Sequence, residues 1–230
     1  MNKNFIKNGI KINQKNGIYS VNDTTPGEYD RKAFFYDKVM SNTLYNIIMW
    51  GNKPDNYTNY AKESIHRSAE GTVLDIGCGS LSFTHTVYNN YTQRELVLSD
   101  LSEEMLKIGK NRLNSNQPNI RFLRADALNF PFKNETVQTI LSFGFLHVIH
   151  NHEKILHEFY RLLKPGGDLH LTCLCTDRKI SMLYLRLLKN RGLISLCMKS
   201  GEIKNIIEKS GFRVSMTVIG GMAYIDAIKK

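Results

Sequence analysis

The fold of this chain is decided by one stretch, Val73-Leu74-Asp75-Ile76-Gly77-Cys78-Gly79-Ser80-Leu81-Ser82. Its apolar start predicts a short buried strand. Gly77 and Gly79 then predict a tight turn that a ligand can approach closely, because glycine has no Cβ. Ser80 or Ser82 is expected to cap a helix whose amino end points backbone N–H groups at that ligand.

A turn with two glycines has two interpretations: a purely structural turn or a ligand-binding loop. The dinucleotide fingerprint of nicotinamide enzymes has a third glycine at the sixth position of the loop. Ser82 stands at that position here, which disfavours a dehydrogenase. The choice between the two interpretations therefore rests on the elements that follow.

Composition limits the class of protein. The chain has 230 residues, of which 42% are hydrophobic and 23% charged. These values are typical of one globular α/β domain with a small cap. No apolar run reaches the roughly 18 residues of a membrane span, and no apolar signal-peptide core follows Met1. We therefore expect a cytoplasmic protein with no membrane span.

The four cysteines show neither Cys-x-x-Cys nor zinc-ligand spacing. We expect free thiols and no metal site, with a soft metalloid held by Cys173, Cys175 and Cys197 as the minor alternative. The net charge of +10 is compatible with nucleic acid, an anionic membrane surface or an acidic substrate. The lysines are scattered, however, and no run of Lys and Arg is long enough to mark a binding patch.

The order of elements predicts the architecture. We expect strands at residues 73–76, 95–100, 119–123, 136–143 and 168–174, with helices between them. A further helix is expected at residues 182–196, before a closing hairpin of 212–218 and 223–228. This pattern predicts a Rossmann-like, seven-stranded, mostly parallel sheet with one antiparallel strand near the C-terminus and helices on both faces. We assign residues 62–230 to this domain.

The preceding residues 1–61 are expected to form an N-terminal arm and a helical cap. Residues 1–20 are interpreted as a solvated helix face or a loose tail. Residues 28–50 are rich in aromatic side chains at helical spacing, and they form either a helix packed on the core or a lid over a pocket. A linker is expected from Pro54 to Tyr60.

Two carboxylates follow predicted strands. Asp100 ends the second strand about twenty residues after the turn, where a carboxylate can accept hydrogen bonds from both hydroxyls of a ribose. Asp126 comes just after the third strand, where it can accept the exocyclic amine of adenine. Both positions lie at the carboxyl edge of an open sheet, which is where such sheets bind ligands.

In this order the motifs resemble those of the class I S-adenosylmethionine-dependent methyltransferases, over residues 62–230. The resemblance rests on five segments: Val73–Gly79, Asp100-Leu101-Ser102-Glu103-Glu104-Met105-Leu106, Asp126-Ala127, Leu146-His147, and Leu163-Lys164-Pro165-Gly166-Gly167. The chain is most similar to the group of ubiquinone/menaquinone C-methyltransferases, which act on small molecules. Leu81 departs from the family pattern, which often has a third glycine there.

The resemblance implies S-adenosylmethionine as cofactor and the residues that bind it. The turn Gly77-Cys78-Gly79 would follow the methionine part, and Asp75 would hold the turn and the cofactor amine. Asp100 would bind the ribose. The adenine would lie against Leu101 and Met105, with its edge at Asp126 and Ala127. Phe143, Gly144 and Phe145 would approach the methionine end and the substrate, and Tyr29 and Tyr36 would close over the cofactor.

For the reaction we expect direct in-line methyl transfer to a small-molecule acceptor. A general base is needed only if the nucleophile carries a proton. His147 is the first candidate, because it follows the fourth strand at the cleft, and Tyr36 and His150 are weaker ones. The alternative for His147 is a ring that only packs at the edge of a loop.

Two rival functions remain, an RNA methyltransferase and a non-catalytic subunit that binds the cofactor and activates a partner. The loop Ser142-Phe143-Gly144-Phe145 lacks the Asn/Asp-Pro-Pro-aromatic sequence of enzymes that methylate exocyclic amines of bases. No Pro-Cys nucleophile follows the fourth strand either. Nucleic acid is therefore disfavoured as a substrate, and the sequence has no motif for the acceptor or the oligomeric state.

Overall fold

One mixed sheet organises the computed structural model, which describes residues 3–21, 42–67, 71–91, 94–114 and 117–230. Its strands are β1 (Ile12–Lys15), β2 (Ile18–Val21), β3 (Val73–Ile76), β4 (Leu96–Asp100), β5 (Ile120–Arg124), β6 (Val137–Phe143), β7 (Leu163–Leu174), β8 (Phe212–Ile219) and β9 (Met222–Lys229). They lie in the order β1-β2-β5-β4-β3-β6-β7-β9-β8. Strands β2 to β7 are parallel, and β1 and β9 are antiparallel to their neighbours.

Seven helices accompany the sheet in the described residues. They are α1 (Thr43–Tyr45), α2 (Pro54–Arg67), α3 (His85–Asn89), α4 (Glu103–Arg112), α5 (His152–Leu162), α6 (Lys179–Asn190) and α7 (Ser200–Lys209). A π-helical turn, Asn46–Trp50, continues α1, and a 3-10 turn, Ala127–Asn129, follows β5.

The helices cover both faces of the sheet, because successive side chains of a strand point to opposite faces. Leu74 of β3 packs in a cluster that includes residues of α5 and α7. Its neighbour Val73 packs in another, with residues of α2, α3 and α4. All four residues of β3 are buried, as expected for a central strand of a parallel sheet. The glycine turn that follows β3 is thus carried by the most buried part of the fold.

The sheet has nine strands rather than the seven predicted, because residues 12–21 form a hairpin. Asn16 and Gly17 turn the chain with φ of 53° and 75°, the left-handed values of a two-residue hairpin turn. Strand β2 then pairs in parallel with β5, with Ile18 opposite Phe122. The interpretation of residues 1–20 as a helix face or loose tail was wrong for this segment.

The stretch from Pro54 to Tyr60 is helical and not a linker. Pro54 is the first residue of α2, a position where the missing N–H of proline is tolerated. The predicted boundary between residues 61 and 62 falls inside this helix, and the division into cap and domain stays a prediction. Residues 22–41, which include Tyr29 and Tyr36, lie outside the described part of the chain.

Three predictions for the C-terminal half compare as follows. The closing hairpin is confirmed, with β8 and β9 paired around Gly220-Gly221. The helix expected at residues 182–196 runs from Lys179 to Asn190. Strand β7 begins at Leu163, directly after α5, and so includes the Lys-Pro-Gly-Gly segment that was expected to precede it.

None of the described helices combines the length and the apolar character needed to cross a membrane.

Candidate active site

The glycine turn is fixed to the neighbouring strand by its backbone. The N–H groups of Gly77 and Cys78 donate to the carbonyl of Ser99, at 2.8 and 3.0 Å. Gly77 and Gly79 have φ of 73° and 57°, which glycine adopts without strain. The expected serine cap is absent: α3 begins only at His85, and no side chain caps it.

The two glycines are required for different reasons. A Cβ at Gly77 would lie 2.5 Å from the ring of Phe145, so this glycine lets the loop after β6 pack on the turn. A Cβ at Gly79 would meet no heavy atom within 4 Å. Gly79 therefore borders open space, and this space is part of the cavity described below.

Asp100, at the end of β4, is bound by two backbone N–H groups. Its Oδ2 accepts from Gly79 at 2.9 Å and its Oδ1 from Ser102 at 2.9 Å. This carboxylate thus joins the glycine turn to the start of α4. Asp126 has a similar position after β5, where its Oδ1 accepts from the N–H of Leu128 at 2.9 Å. The ends of two neighbouring parallel strands therefore each place an acidic side chain at the same edge of the sheet.

Asp75 is the most deeply buried carboxylate of the site, at 1% exposure. The hydroxyl of Tyr88 donates to its Oδ2 at 2.7 Å, while Oδ1 has no hydrogen-bond partner in the described part of the chain. Burial raises the pKa of Asp75 to about 7, and the nearby charge of Asp100 adds to the effect, although the Tyr88 hydrogen bond opposes it. A buried carboxylate oxygen without a donor is costly, and a cationic ligand group would satisfy it.

His147 is also buried, and burial lowers its pKa to about 4. The N–H of Leu174 donates to its Nδ1 at 3.4 Å. Because Nδ1 accepts, the neutral ring carries its proton on Nε2. The backbone carbonyl of His147 accepts N–H groups from Ser195 and Leu196, at 2.8 and 3.2 Å, which anchors the residue. The ring can therefore donate a hydrogen bond, but it is a weak base.

One cavity of about 450 Å³ connects these groups. Such a volume is within the range of small-molecule sites. The predicted site residues that line it are Asp75, Gly77, Cys78, Gly79, Asp100, Leu101, Met105, Asp126, Ala127, Phe143, Gly144, Phe145, His147 and His150. The structure thus brings together every predicted site residue that it describes, and only Tyr29 and Tyr36 fall outside.

The cavity also has a wall that no sequence motif predicted, although Trp50 lies in the segment 28–50 that was expected to be either a packed helix or a lid. The wall includes Trp50, Tyr57, Phe83 and Leu174. The rings of Tyr57 and Phe83 stack with centroids 4.8 Å apart and planes 11° from parallel. Tyr57 was placed in a linker and Phe83 at a helix start, and no local pattern indicates that they meet. This wall adds apolar surface to a cavity that three carboxylates also line.

In the described residues, no three His, Cys, Asp or Glu side chains are grouped to hold a metal ion. Cys173 in β7 and Cys175 just after it are buried free thiols, and Cys197 is a half-buried one.

Comparisons with known proteins agree with this geometry. Residues 73–167 match the family described as Methyltransferase domain. The ubiquinone/menaquinone biosynthesis C-methyltransferase UbiE of Ectopseudomonas oleovorans is 32% identical over 138 residues, which are 58% of this chain and 80% of that relative. UbiE of Pseudomonas fluorescens is 33% identical over 142 residues, which are 59% of this chain and 54% of the relative. The chain thus spans about half the length of this second relative.

The fold is also found in solved structures. The chain resembles a Haloferax volcanii methyltransferase that was solved in complex with the Trm112 methyltransferase activator. The TM-score is 0.67 with 16% identity, over 89% of this chain and 98% of the other. At this identity the likeness shows the fold alone. The matched motifs, the shared fold and the extent of the UbiE alignment lead to one conclusion: the chain belongs to the class I S-adenosylmethionine-dependent methyltransferases, in the group that includes the UbiE proteins.

Proposed function

We propose that this chain binds S-adenosylmethionine in the cavity at the carboxyl edge of the sheet and transfers its methyl group to a small apolar acceptor. The observation that carries the proposal is the arrangement of three carboxylates, Asp75, Asp100 and Asp126, around one cavity. Asp75 lies within β3, Asp100 ends β4 and Asp126 follows β5. These three parallel strands are neighbours in the sheet, so the fold itself sets the order of the carboxylates.

Two features of the structure support the fit of this cofactor. The unpartnered Oδ1 of Asp75 is suited to an ammonium group, such as that of the methionine part. The open space at Gly79 would be filled by any side chain there, so the glycine leaves room for a ligand against the backbone. Both features lie on the turn that the cofactor would follow.

In this proposal the remaining site residues bind the nucleoside. Asp100 accepts hydrogen bonds from the ribose hydroxyls, and its own bonds to Gly79 and Ser102 hold it in place. Asp126 accepts a hydrogen bond from the adenine amine, and Ala127 lies beside it in sequence. Leu101 and Met105 provide apolar contacts for the adenine ring. When bound, the cofactor supplies an activated methyl group on a sulfonium.

The acceptor is assigned to the aromatic wall of Trp50, Tyr57 and Phe83. This wall excludes water and positions a flat apolar molecule, which is the main contribution that a protein makes to methyl transfer. The names of the UbiE relatives support a quinone-type acceptor and a carbon acceptor atom.

His147 is proposed to act as a hydrogen-bond donor from Nε2 rather than as a general base. Its lowered pKa and the N–H that occupies Nδ1 both oppose proton abstraction at neutral pH. The general base that the sequence predicted at His147 or Tyr36 is therefore not part of this proposal.

Isothermal titration calorimetry with S-adenosylhomocysteine and NADH tests the proposal. We expect binding of the first ligand only, and a loss of about tenfold or more in affinity for Asp100→Asn, because a charge-assisted hydrogen bond is removed. Glu208→Gln, an exposed substitution on α7, serves as the matched control and should bind like the wild type. Binding of NADH, or wild-type affinity in Asp100→Asn, would contradict the proposal.

The rival functions predict different outcomes in the same samples. Binding of S-adenosylhomocysteine without methylation of any quinone-like acceptor, together with tight binding to a protein, would favour a partner-activating subunit. Methylation of RNA would favour the nucleic-acid alternative.

A further inference from the structure

Exposed apolar side chains are concentrated in one region of the described surface. Seven of the ten large hydrophobic residues that are exposed in the described part of the chain come from residues 44–48 and 180–193. We call these seven the apolar patch: Leu44, Ile47, Ile48, Ile180, Leu183, Leu187 and Leu193. Leu44 and Leu183 are exposed to 65% and 63%, which is far from core packing.

The patch is built on two elements that contact each other. Ile180, Leu183 and Leu187 have the spacing of one helix face and lie on α6, whose opposite face buries Ser181 and Leu185.

The α1 segment and its π-turn are fixed to α6 by side-chain and backbone contacts. Arg178 donates to the carbonyl of Ile48 at 2.8 Å, and Ser181 donates to that of Met49 at 2.8 Å. The rings of Trp50 and Tyr184 lie 5.4 Å apart. The two exposed apolar surfaces are thus held together by the fold.

The charge of α6 and of the loop that follows it is positive. Residues 178–199 contain six Lys or Arg and no Asp or Glu. Four of the basic residues, Lys179, Arg186, Lys189 and Arg191, are exposed beside or just after the α6 stripe. An apolar helix face bordered by cations is the composition that binds the interface of an anionic bilayer.

Residues next to the patch line the active-site cavity. Trp50, which lines the cavity, closes the π-turn that carries Ile47 and Ile48. Gly192, which also lines the cavity, directly precedes Leu193. The patch therefore borders the cavity without lining it.

We propose that the apolar patch and its basic border dock the protein on an anionic lipid surface. The docking does not depend on the proposed function, because no residue of the patch lines the cavity.

Sedimentation of the full-length chain with vesicles tests the inference. The vesicles contain phosphatidylcholine alone or with about one third phosphatidylglycerol, the anionic lipid. We expect wild-type protein to bind only the anionic vesicles. Leu183→Gln together with Leu187→Gln should reduce binding about tenfold or more, because buried apolar area is lost. Arg186→Gln together with Lys189→Gln should reduce it about fivefold or more for each charge removed.

The matched control is Lys133→Gln with Lys164→Gln, which removes two exposed charges at the other end of the sheet, before β6 and at the start of β7. It should bind vesicles like the wild type. Thermal unfolding of each variant checks that the fold is intact. Equal vesicle binding by the wild type and the leucine variant would overturn the inference, and so would absence of binding to anionic vesicles.

Two other binding partners of the apolar patch would give distinct results, and either result would overturn the proposal that the patch docks on lipid. A second copy of the chain predicts a concentration-dependent dimer that the leucine substitutions abolish. RNA predicts binding that the arginine and lysine substitutions abolish and the leucine substitutions leave intact. Affinity for S-adenosylhomocysteine is measured on the same samples and should not change. If no sample binds S-adenosylhomocysteine, the proposed function fails. The vesicle measurements still test the docking proposal in that case.

Discussion

The side chain of Leu81 lies against Gly109 of α4, in the space that a larger residue there would occupy. A Cβ at Gly109 would lie 3.0 Å from Cγ of Leu81 and 3.4 Å from the carbonyl oxygen of Gly79. Leu81 is 1% exposed and has φ of 60°, a left-handed value that favours glycine. The glycine that relatives often have in this turn is thus replaced by leucine, and the facing helix makes room for it.

This pair predicts non-additive stability. Gly109→Ala should destabilise the protein by about 1–2 kcal/mol, because overpacking against Leu81 outweighs the gain of up to about 1 kcal/mol from replacing a glycine inside a helix. In a Leu81→Gly background the same substitution should be neutral or stabilising, since the crowding partner is gone and the helix gain remains. Urea unfolding of the two single variants and the double variant measures the coupling. Gly201→Ala, where a Cβ meets nothing within 4 Å, is the control, and equal costs in both backgrounds would contradict the packing argument.

Asp75 predicts a pH-dependent affinity for the cofactor. Its pKa is raised to about 7, and an ammonium beside it would favour the ionised form and lower that pKa. Ligand binding should then release a proton below about pH 7, and affinity for S-adenosylhomocysteine should increase as pH rises towards that value. Calorimetry in buffers of different ionisation enthalpy measures the proton release.

Asp75→Asn should remove this pH dependence, whereas Asp126→Asn should weaken binding and keep it. A wild-type affinity that does not change with pH would show that the carboxyl of Asp75 is not coupled to the ligand.

The lowered pKa of His147 predicts that the stability of the fold depends on pH. This pKa falls from about 6.5 in the unfolded chain to about 4 in the fold, so the unfolded state binds the proton more tightly. The contribution of the neutral ring is complete above the unfolded pKa and is lost as the pH falls towards about 4, by up to about 3 kcal/mol. The difference in free energy of unfolding between wild type and His147→Gln should therefore shrink on acidification. A constant difference would mean that the ring is not desolvated.

A substitution at Gly17 tests how much the β1–β2 hairpin contributes to stability. Gly17→Val should destabilise the hairpin by about 1–3 kcal/mol, because a β-branched residue is strained at φ of 75°. Hydrogen exchange should increase in β1 and β2. S-adenosylhomocysteine affinity should stay unchanged, since residues 12–21 do not line the cavity. Lys15→Ala, an exposed substitution in the same hairpin, is the control, and wild-type exchange in Gly17→Val would contradict the pairing.

The parts of the fold that the sequence predicted are those with local signals. Strand β3, its glycine turn and the hairpin around Gly220-Gly221 each have an apolar run bounded by turn residues, and the structure has them at these positions. The hairpin at Asn16-Gly17 had a local signal as well, but lysines spaced four apart suggested a solvated helix instead. Its pairing with β5 joins segments about a hundred residues apart and has no local signature.

The candidate site also contains residues that local sequence signals predicted and residues that they did not. Asp100 and Asp126 were predicted because each stands at the end of a recognisable strand, and Asp75 was predicted from the resemblance of its segment to a family motif. The stacked pair of Tyr57 and Phe83 was not, because the contact arises only when α2 packs beside the segment before α3. The aromatic wall proposed to bind the acceptor is thus a product of tertiary packing, whereas the carboxylates proposed to bind the cofactor follow from local sequence.

The most direct test of the central claim is a crystal structure of the complex with S-adenosylhomocysteine. We expect the ribose hydroxyls within hydrogen-bond distance of Asp100, the adenine amine at Asp126 and the ammonium group at Oδ1 of Asp75. A ligand bound elsewhere, or a nucleoside that contacts neither Asp100 nor Asp126, would contradict the account.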